Sequence, residues 1–207
     1  MLIENPKPVN LEDLARICDP AYRHIKRLIL HWTAGRYGQQ YDDYHINIDR
    51  DGEVYLTCED LTDLKAHTWM RNTGSVGITL DCCYDAVAYV PAEGTKPDID
   101  FGPYPPTQKQ IDAMAMVIAV LANELCLAIN EDTVFTHAEA AIKDGYGIDS
   151  NDPEIRWDLL YLPDSAYNNE LREGGKVLRG KAIWYRNLQH HPPRIKTADS
   201  EGPFWRT

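Results

Sequence analysis

The segment "YHINIDRDGEVYLT" (residues 44–57) constrains the fold most, because it predicts a β-hairpin. Apolar and polar residues alternate from Tyr44 to Ile48, and they alternate again from Val54 to Leu56. Between them, Asp51-Gly52 is a two-residue turn sequence of the kind that joins antiparallel strands. A lone hairpin is unstable in water, so the chain must supply further strands and a layer that covers them.

Three further apolar runs predict these strands, at residues 28–30, 75–82 and 133–136. Leu11–Ile17 predicts a short helix, and a long helix follows "PPT" at residues 105–107. Thr107 and Gln110 form a capping box, and one apolar stripe follows it: Ile111, Met114, Ile118, Leu121 and Leu125. The sequence therefore predicts an α/β fold in one domain, with a central mixed β-sheet flanked by helices.

Two segments lie outside this pattern. Residues 84–106 are rich in Pro, Gly and Tyr and predict a long surface loop of the kind that borders binding sites. Residues 166–188 predict a helix weakened by three glycines, and the tail from His190 onward predicts irregular structure. The aromatic residues of this region allow two interpretations, namely packing of the helix on the domain or a surface patch: Trp184, Tyr185, Phe204 and Trp205.

Charge and apolar content limit the partners. The formal net charge of −11 argues against nucleic acid and against an anionic membrane as the main partner. The longest apolar run, residues 114–122, is too short to span a bilayer, and the first residues lack the apolar core of a signal peptide. We therefore expect synthesis in the cytoplasm, where the five cysteines, which show no CxxC spacing, would stay reduced.

Two of the seven histidines directly follow predicted strands. His31 follows "LIL" and His137 follows "TVFT", so both can reach one edge of a sheet. Two neutral imidazoles and a carboxylate with an open fourth position form a catalytic zinc site. The chain has no HExxH motif, and several downstream carboxylates could be the third ligand: Glu139, Asp144, Asp149, Asp152, Glu154 and Asp158. We interpret His24, His190 and His191 as structural.

Six short stretches occur in an order that resembles one known family. They are "LILHWTAG", "YHINIDRDGEVY", "AHT" at 66–68, "NTGSVGITL" at 72–80, "PPTQKQIDAM" and "FTHAE", with "RWDLLYLP" at 156–163 as a looser seventh. The chain resembles the zinc-dependent N-acetylmuramoyl-L-alanine amidases of type 2, over residues 25–140. That family includes amidase-type phage lysozymes and, more distantly, peptidoglycan recognition proteins.

The resemblance implies a set of site residues. His31 and His137 match the two zinc-binding histidines, and Asp158 matches a third ligand that follows a basic residue, here Arg156, by two positions. Tyr44 matches a catalytic tyrosine, which together with Arg156 would stabilise the charge on the amide oxygen.

Two further positions match the substrate groove, namely His67 and Asn72, and a structural hydrogen bond is the other interpretation of His67. Two features depart from the family. The segment "AAIKDGYGIDSNDPEI" makes the interval before Asp158 unusually long, and the basic residue is Arg156 where lysine is more common. Thr79 stands where cytosolic recycling amidases have a glutamate, so the resemblance is closer to the branch that uses a catalytic tyrosine.

The implied function is hydrolysis of the amide between N-acetylmuramic acid and L-alanine in peptidoglycan, with Zn²⁺ as cofactor. Residues 1–163 would form the amidase catalytic domain, and residues 164–207 a C-terminal helical extension with an irregular tail. The implied setting is a phage or prophage endolysin, made without a signal peptide and released to the cell wall through a separate pore-forming protein.

Three alternatives remain, namely a peptidoglycan recognition module without activity, a cytosolic muropeptide-recycling amidase and a metal-free hydrolase. Peptidoglycan or a muropeptide is the expected partner, with no nucleic acid and no membrane. The oligomeric state is open, with a monomer slightly favoured.

Overall fold

A computed structural model describes residues 1–89, 98–150 and 156–190. Ten strands are present in these ranges: β1 (Lys7–Pro8), β2 (Arg27–Trp32), β3 (Ile46–Ile48), β4 (Val54–Leu56), β5 (Ser75–Leu80), β6 (Val87–Tyr89), β7 (Asp98–Asp100), β8 (Val134–Thr136), β9 (Tyr161–Asp164) and β10 (Glu170–Glu173). Four α-helices accompany them: α1 (Leu11–Ala21), α2 (Gln108–Glu124), α3 (His137–Asp144) and α4 (Gly174–His190).

Six strands form the central sheet, in the order β1-β4-β3-β5-β2-β8. The predicted hairpin is confirmed, since β3 and β4 pair antiparallel with Ile46 opposite Leu56. Strand β5 pairs in parallel with both β3 and β2, and β2 pairs in parallel with β8. The predicted α/β class with a central mixed sheet and flanking helices is therefore confirmed.

The two faces of the sheet differ because residues alternate along each strand. Val76, Ile78 and Leu80 of β5 belong to the main apolar core, in which α1, α2 and α4 also take part. The residues between them are Gly77 and Thr79, which lie on the opposite face. This second face is also buried, and its small apolar cluster contains only Ile29, Phe135 and Ala140 among the described residues. It leaves room for polar groups beside β2 and β5.

Helix α2 is confirmed with both hydrogen bonds of the capping box between Thr107 and Gln110. The five residues of the predicted apolar stripe are all buried. The short first helix is four residues longer than predicted and ends at Ala21.

Two element predictions were wrong in part. The region predicted as a surface loop contains β6 and β7, which pair antiparallel, while residues 90–97 lie outside the described ranges. The helix predicted over 166–188 begins only at Gly174, because a β9–β10 hairpin occupies residues 161–173. Asn168 and Asn169 turn this hairpin with positive φ angles of 53° and 61°, a conformation that asparagine tolerates. Helical periodicity does not reveal such a turn.

Helix α4 packs against α2, and its residues Val177, Leu178 and Ala182 belong to the main core. The ring of Trp184 is exposed, whereas Tyr185 packs against the core. Phe204, Trp205 and the rest of the predicted irregular tail lie outside the described ranges. The boundary placed at residue 163 falls within β9, and this division into domains stays a prediction. No helix in the described ranges is long and apolar enough to cross a membrane.

Candidate metal centre

The parallel register of β2 and β8 brings two histidines together. Leu28 lies opposite Val134 and Leu30 opposite Thr136, so the next residues in the two strand directions are His31 and His137. Their ring centroids are 4.8 Å apart. The two strands are far apart in the sequence, but their carboxyl ends lie side by side, so both imidazoles lie at the same edge of the sheet.

Asp158 completes this cluster from an irregular segment that follows α3. One carboxylate oxygen lies 3.0 Å from Nδ1 of His31 and the other lies 3.2 Å from Nδ1 of His137. The segment is attached to α3 by a backbone hydrogen bond of 3.2 Å from Ala138 N–H to Asp158 O. The three side chains are buried, and their candidate ligand atoms lie within 4.8 Å of one another.

The protonation states suit a divalent cation. Burial lowers the pKa of His31 to about 4, so its imidazole is neutral at pH 7. Burial alone would raise the pKa of the Asp158 carboxyl, but the attraction and hydrogen bonds of His137 and His31 outweigh it and hold that pKa below its usual range. The neutral imidazole of His31, a second imidazole from His137 and the Asp158 carboxylate are the ligand types of a catalytic zinc site.

His67 lies directly behind the cluster. Its Nδ1 is 3.1 Å from Nε2 of His31 and 2.9 Å from Oγ1 of Thr68. The imidazole lies over Gly77 of β5, where an added Cβ would be 2.7 Å from Cδ2 of His67. Burial is the main cause that lowers the pKa of His67, and repulsion by His31 and His45 lowers it further. The ring is therefore a neutral partner of His31, which matches the hydrogen-bonding interpretation, and it also lines the adjoining cavities.

Asn72 organises the loop that carries His67. Its side-chain oxygen accepts hydrogen bonds from His67 N–H at 3.2 Å and from Thr68 N–H at 2.8 Å. Asn72 also lines a cavity beside the cluster, and its predicted contact with substrate stays a prediction.

Tyr44 also lies beside His31, with 5.1 Å between the two ring centroids, and its ring centroid is 6.5 Å from that of His67. Burial and then the negative charge of Asp158 raise the pKa of its phenol above the usual range. The phenol is therefore a hydrogen-bond donor at neutral pH and a poor base. Arg156 lies at the surface beside the cluster, and its backbone N–H donates to Tyr146 O at 3.1 Å.

Two cavities open beside the cluster and share His67, His137 and Arg156 in their walls. The first, about 600 Å³, extends along Trp69, Asn72 and Tyr146. The second, about 510 Å³, extends along Trp32, Tyr44 and Trp157. A ligand that occupied both would pass His137, which lines both cavities, and would contact Asp158 in the second.

Sequence reasoning missed Trp69 and Tyr146 in the first cavity. Their rings are in edge contact with centroids 5.8 Å apart, and the ring of Trp69 is 63% exposed. The hydroxyl of Tyr146 is buried and has no hydrogen-bond partner among the described residues. A possible signal was the long segment between His137 and Asp158, which contains Tyr146.

His45 was also left unassigned, and it has a structural role. Its Nδ1 accepts from Gly77 N–H at 3.0 Å, and its Nε2 donates to Asp63 O at 2.8 Å.

A mixed α/β fold with this donor set at the sheet rim is a suitable scaffold for a hydrolase, and comparison with known sequences defines the family. Residues 21–154, more than half of the chain, match the family described as N-acetylmuramoyl-L-alanine amidase. The chain therefore belongs to the N-acetylmuramoyl-L-alanine amidase family and is an enzyme that acts on peptidoglycan. The match ends before Asp158 and before α4. No curated protein sequence gave a significant match.

Solved structures of similar fold include two endolysins. The amidase LysCS from Clostridium intestinale URNW is 14% identical, with 56% of this chain and 70% of that chain covered and a TM-score of 0.40. The Ph2119 endolysin from the Thermus scotoductus MAT2119 bacteriophage is 18% identical, covering 57% and 77% with a TM-score of 0.40. A complex of the peptidoglycan recognition proteins LCa and LCx with tracheal cytotoxin is 17% identical, covering 64% and 78% with a TM-score of 0.39.

Proposed function

We propose that this enzyme cleaves the amide between N-acetylmuramic acid and L-alanine with a zinc ion held by His31, His137 and Asp158. The observation that carries the proposal is the convergence of these three side chains where two cavities meet. When bound there, zinc lowers the pKa of water and polarises an amide carbonyl. The remaining protein groups orient the ligands and stabilise charge on the substrate.

His67 and Thr68 would orient His31. With Nδ1 of His31 directed at the metal position, the proton of a neutral imidazole resides on Nε2. That N–H then donates towards His67 Nδ1 at 3.1 Å or Thr68 Oγ1 at 3.3 Å. Such a partner fixes the tautomer and the orientation of a metal-binding ring.

Tyr44 and Arg156 would meet the negative charge that develops on the amide oxygen. Both line the second cavity together with Asp158. The raised pKa of Tyr44 keeps its proton available for donation. A neutral donor and a guanidinium beside the same oxygen stabilise it more in the transition state than in the ground state.

The substrate class follows from the two cavities. The scissile amide connects a sugar to a peptide, so one cavity would take each side, and His67 and Asn72 would line the groove. Asp144 lines the first cavity, and Arg71 neutralises its charge through two nitrogen–oxygen contacts of 2.5 and 2.6 Å. The exposed Trp69 and the ring of Tyr146 in the wall of this cavity suit a neutral polar ring, and the sugar is the better occupant there.

We further propose an endolysin rather than a recycling enzyme, acting on the cell wall after release by a separate pore-forming protein. Tyr44 matches the catalytic tyrosine of the phage enzymes, which supports the endolysin. Thr79, at the position of the recycling enzymes' glutamate, is buried opposite His31 in the β2–β5 register and cannot act as a base.

Digestion of purified sacculi tests three points together: which bond is cleaved, whether zinc is required, and whether the enzyme acts on the intact cell wall. We expect mass spectrometry to find new N-terminal L-alanine and intact muramic acid, with loss of activity in a chelator and recovery with zinc. Cleavage of another bond would refute the assignment. Faster turnover of soluble anhydro-muropeptides than of sacculi would refute the proposal that this enzyme is an endolysin.

Asp158→Asn tests the third ligand, because it keeps the shape and removes the charge. We expect this variant to lose stoichiometric zinc, whereas Asp132→Asn, the same change at an exposed aspartate, should retain it. A folded Asp158→Asn protein with one zinc per chain would contradict the assignment.

A further inference from the structure

Helix α4, which lies outside the family match, begins against the two segments that carry His137 and Asp158. A Cβ on Gly174 would overlap the carbonyl oxygen of Leu159, the residue after Asp158. A Cβ on Gly175 would overlap the carboxylate of Glu139, two residues after His137. Glycine destabilises a helix, but the first turn of α4 has glycine at both positions because no side chain would fit against these two segments.

Arg179, one turn further along α4, binds the same glutamate. Its Nη1 and Nη2 donate to the two carboxylate oxygens of Glu139, each at 2.9 Å. Nη1 also donates to Val134 O in β8 at 3.0 Å. Arg179 is only 6% exposed, so this guanidinium has been removed from water and depends on these acceptors.

Glu139 in turn controls the start of α3. Its carboxylate accepts from Thr136 N–H at 2.9 Å, while Thr136 Oγ1 accepts from Glu139 N–H at 3.1 Å. This capping box encloses the junction of β8 and α3, and His137 is the first residue of the helix. The direction in which His137 leaves the strand therefore depends on where the Glu139 carboxylate is held.

We propose that Arg179 is a positioning residue for the metal centre. Through Glu139 it holds the strand–helix junction that presents His137, while Gly174 and Gly175 allow α4 to approach that junction and the Asp158 segment closely. This inference rests on the zinc site proposed above. It assigns to the C-terminal helix a role in ligand geometry and not only in packing.

The bidentate geometry predicts which substitutions matter. Lysine at position 179 keeps the charge but cannot bridge two carboxylate oxygens in one plane. Glu139→Gln keeps the capping shape and loses the ion pair. On α4 itself, Gly180 has nothing within 4 Å of an added Cβ, so Gly180→Ala is a matched control for Gly175→Ala.

The test is the zinc dissociation constant, measured by competition with a chromophoric chelator at a temperature where each apo-protein is folded by circular dichroism. We expect Arg179→Ala, Glu139→Gln and Gly175→Ala to weaken zinc binding by roughly 10- to 100-fold, the usual loss when the support of a ligand is removed. Arg179→Lys should recover part of the loss, and Gly180→Ala should bind zinc as the wild type does.

A double-mutant cycle separates positioning from general stability. If Arg179 acts through Glu139, Arg179→Ala should have little further effect on zinc affinity in a Glu139→Ala background. Should Arg179→Ala not fold, Glu139→Gln and Gly175→Ala decide the question. Folded variants that bind zinc as tightly as the wild type would overturn the inference and leave the zinc site intact. A folded wild type that binds no zinc would overturn both.

Discussion

Replacement of Asp81 by asparagine should stabilise this protein increasingly as the pH rises from 4 to 9. Asp81 is fully buried at the end of β5, where Oδ2 accepts from Gln40 Nε2 at 2.8 Å. Its Oδ1 has no hydrogen-bond partner among the described residues. Burial raises the pKa of this carboxyl from the ordinary 3.8 to about 9 and outweighs the Gln40 hydrogen bond, which acts in the opposite direction.

The sign follows from the linkage between protonation and folding. Below pH 3.8, the ordinary pKa, Asp81 is protonated in both the folded and the unfolded protein and does not oppose folding. Between pH 3.8 and about 9 the unfolded protein ionises this carboxyl and the folded protein does not, so the free energy of unfolding falls as the pH rises. Each pH unit in this window corresponds to ~1.4 kcal/mol. At pH 7 the asparagine variant should therefore be more stable than the wild type by about 4 kcal/mol, and near pH 4 the two should be equal.

Urea unfolding followed by circular dichroism, at half-unit steps from pH 4 to 8.5, measures this difference directly. The comparison uses the difference between variant and wild type, because other titrating groups then cancel. Asp51→Asn is a control of opposite sign. The Lys109 hydrogen bond lowers the pKa of Asp51, so this carboxylate stabilises the folded state above its unfolded pKa and the variant should be slightly less stable at neutral pH.

A difference for Asp81→Asn that stays constant with pH would refute the reasoning, since it would mean that Asp81 titrates alike in the folded and unfolded states. A difference that falls with pH would show that the folded protein stabilises the ionised carboxylate.

Three other substitutions test the candidate site. Gly77→Ala should displace His67, whose Cδ2 would be 2.7 Å from the new Cβ, so zinc titration should show weaker binding. Unchanged zinc affinity would mean that His67 does not support the metal centre. Tyr146→Phe removes a buried hydroxyl that has no partner among the described residues, so thermal unfolding should show unchanged stability or a gain of up to about 1 kcal/mol; a clear loss of stability would contradict this view of the hydroxyl. Tyr44→Phe should retain one zinc per chain and lose roughly 100-fold in kcat, and full activity would contradict the role of its phenol.

Much of the fold could be predicted because its signals are local. The hairpin of residues 44–57 depends on alternation and on the turn that contains Asp51-Gly52, and the start of α2 depends on Thr107 and Gln110, three residues apart. The prediction failed at residues 166–173, where Asn168 and Asn169 turn the chain by adopting positive φ angles. A backbone angle of that kind depends on the surrounding hairpin and leaves no periodic pattern.

The candidate site could be predicted only in part. The strand endings at His31 and His137 are visible in the sequence, whereas the carboxylate that joins them could not be selected by spacing. Asp158 lies 127 residues from His31 and outside any helix or strand, so only the fold brings the two side chains to 3.0 Å. The resemblance selected Asp158, and its roles in catalysis and those of the other site residues stay predictions.

The sequence by itself determined the β3–β4 hairpin, the strands that lead to His31 and His137 and the capped start of α2, since these depend on residues within a few positions of one another. The tertiary structure decided the parallel β2–β8 register that joins those histidines, the position of His67 behind His31 and the contact of Arg179 with Glu139. The contacts of His31 with His67 and with Asp158 join residues that are 36 and 127 positions apart, and their geometry arises only when the whole core packs. Local preferences act on neighbouring residues and contain no information about that packing.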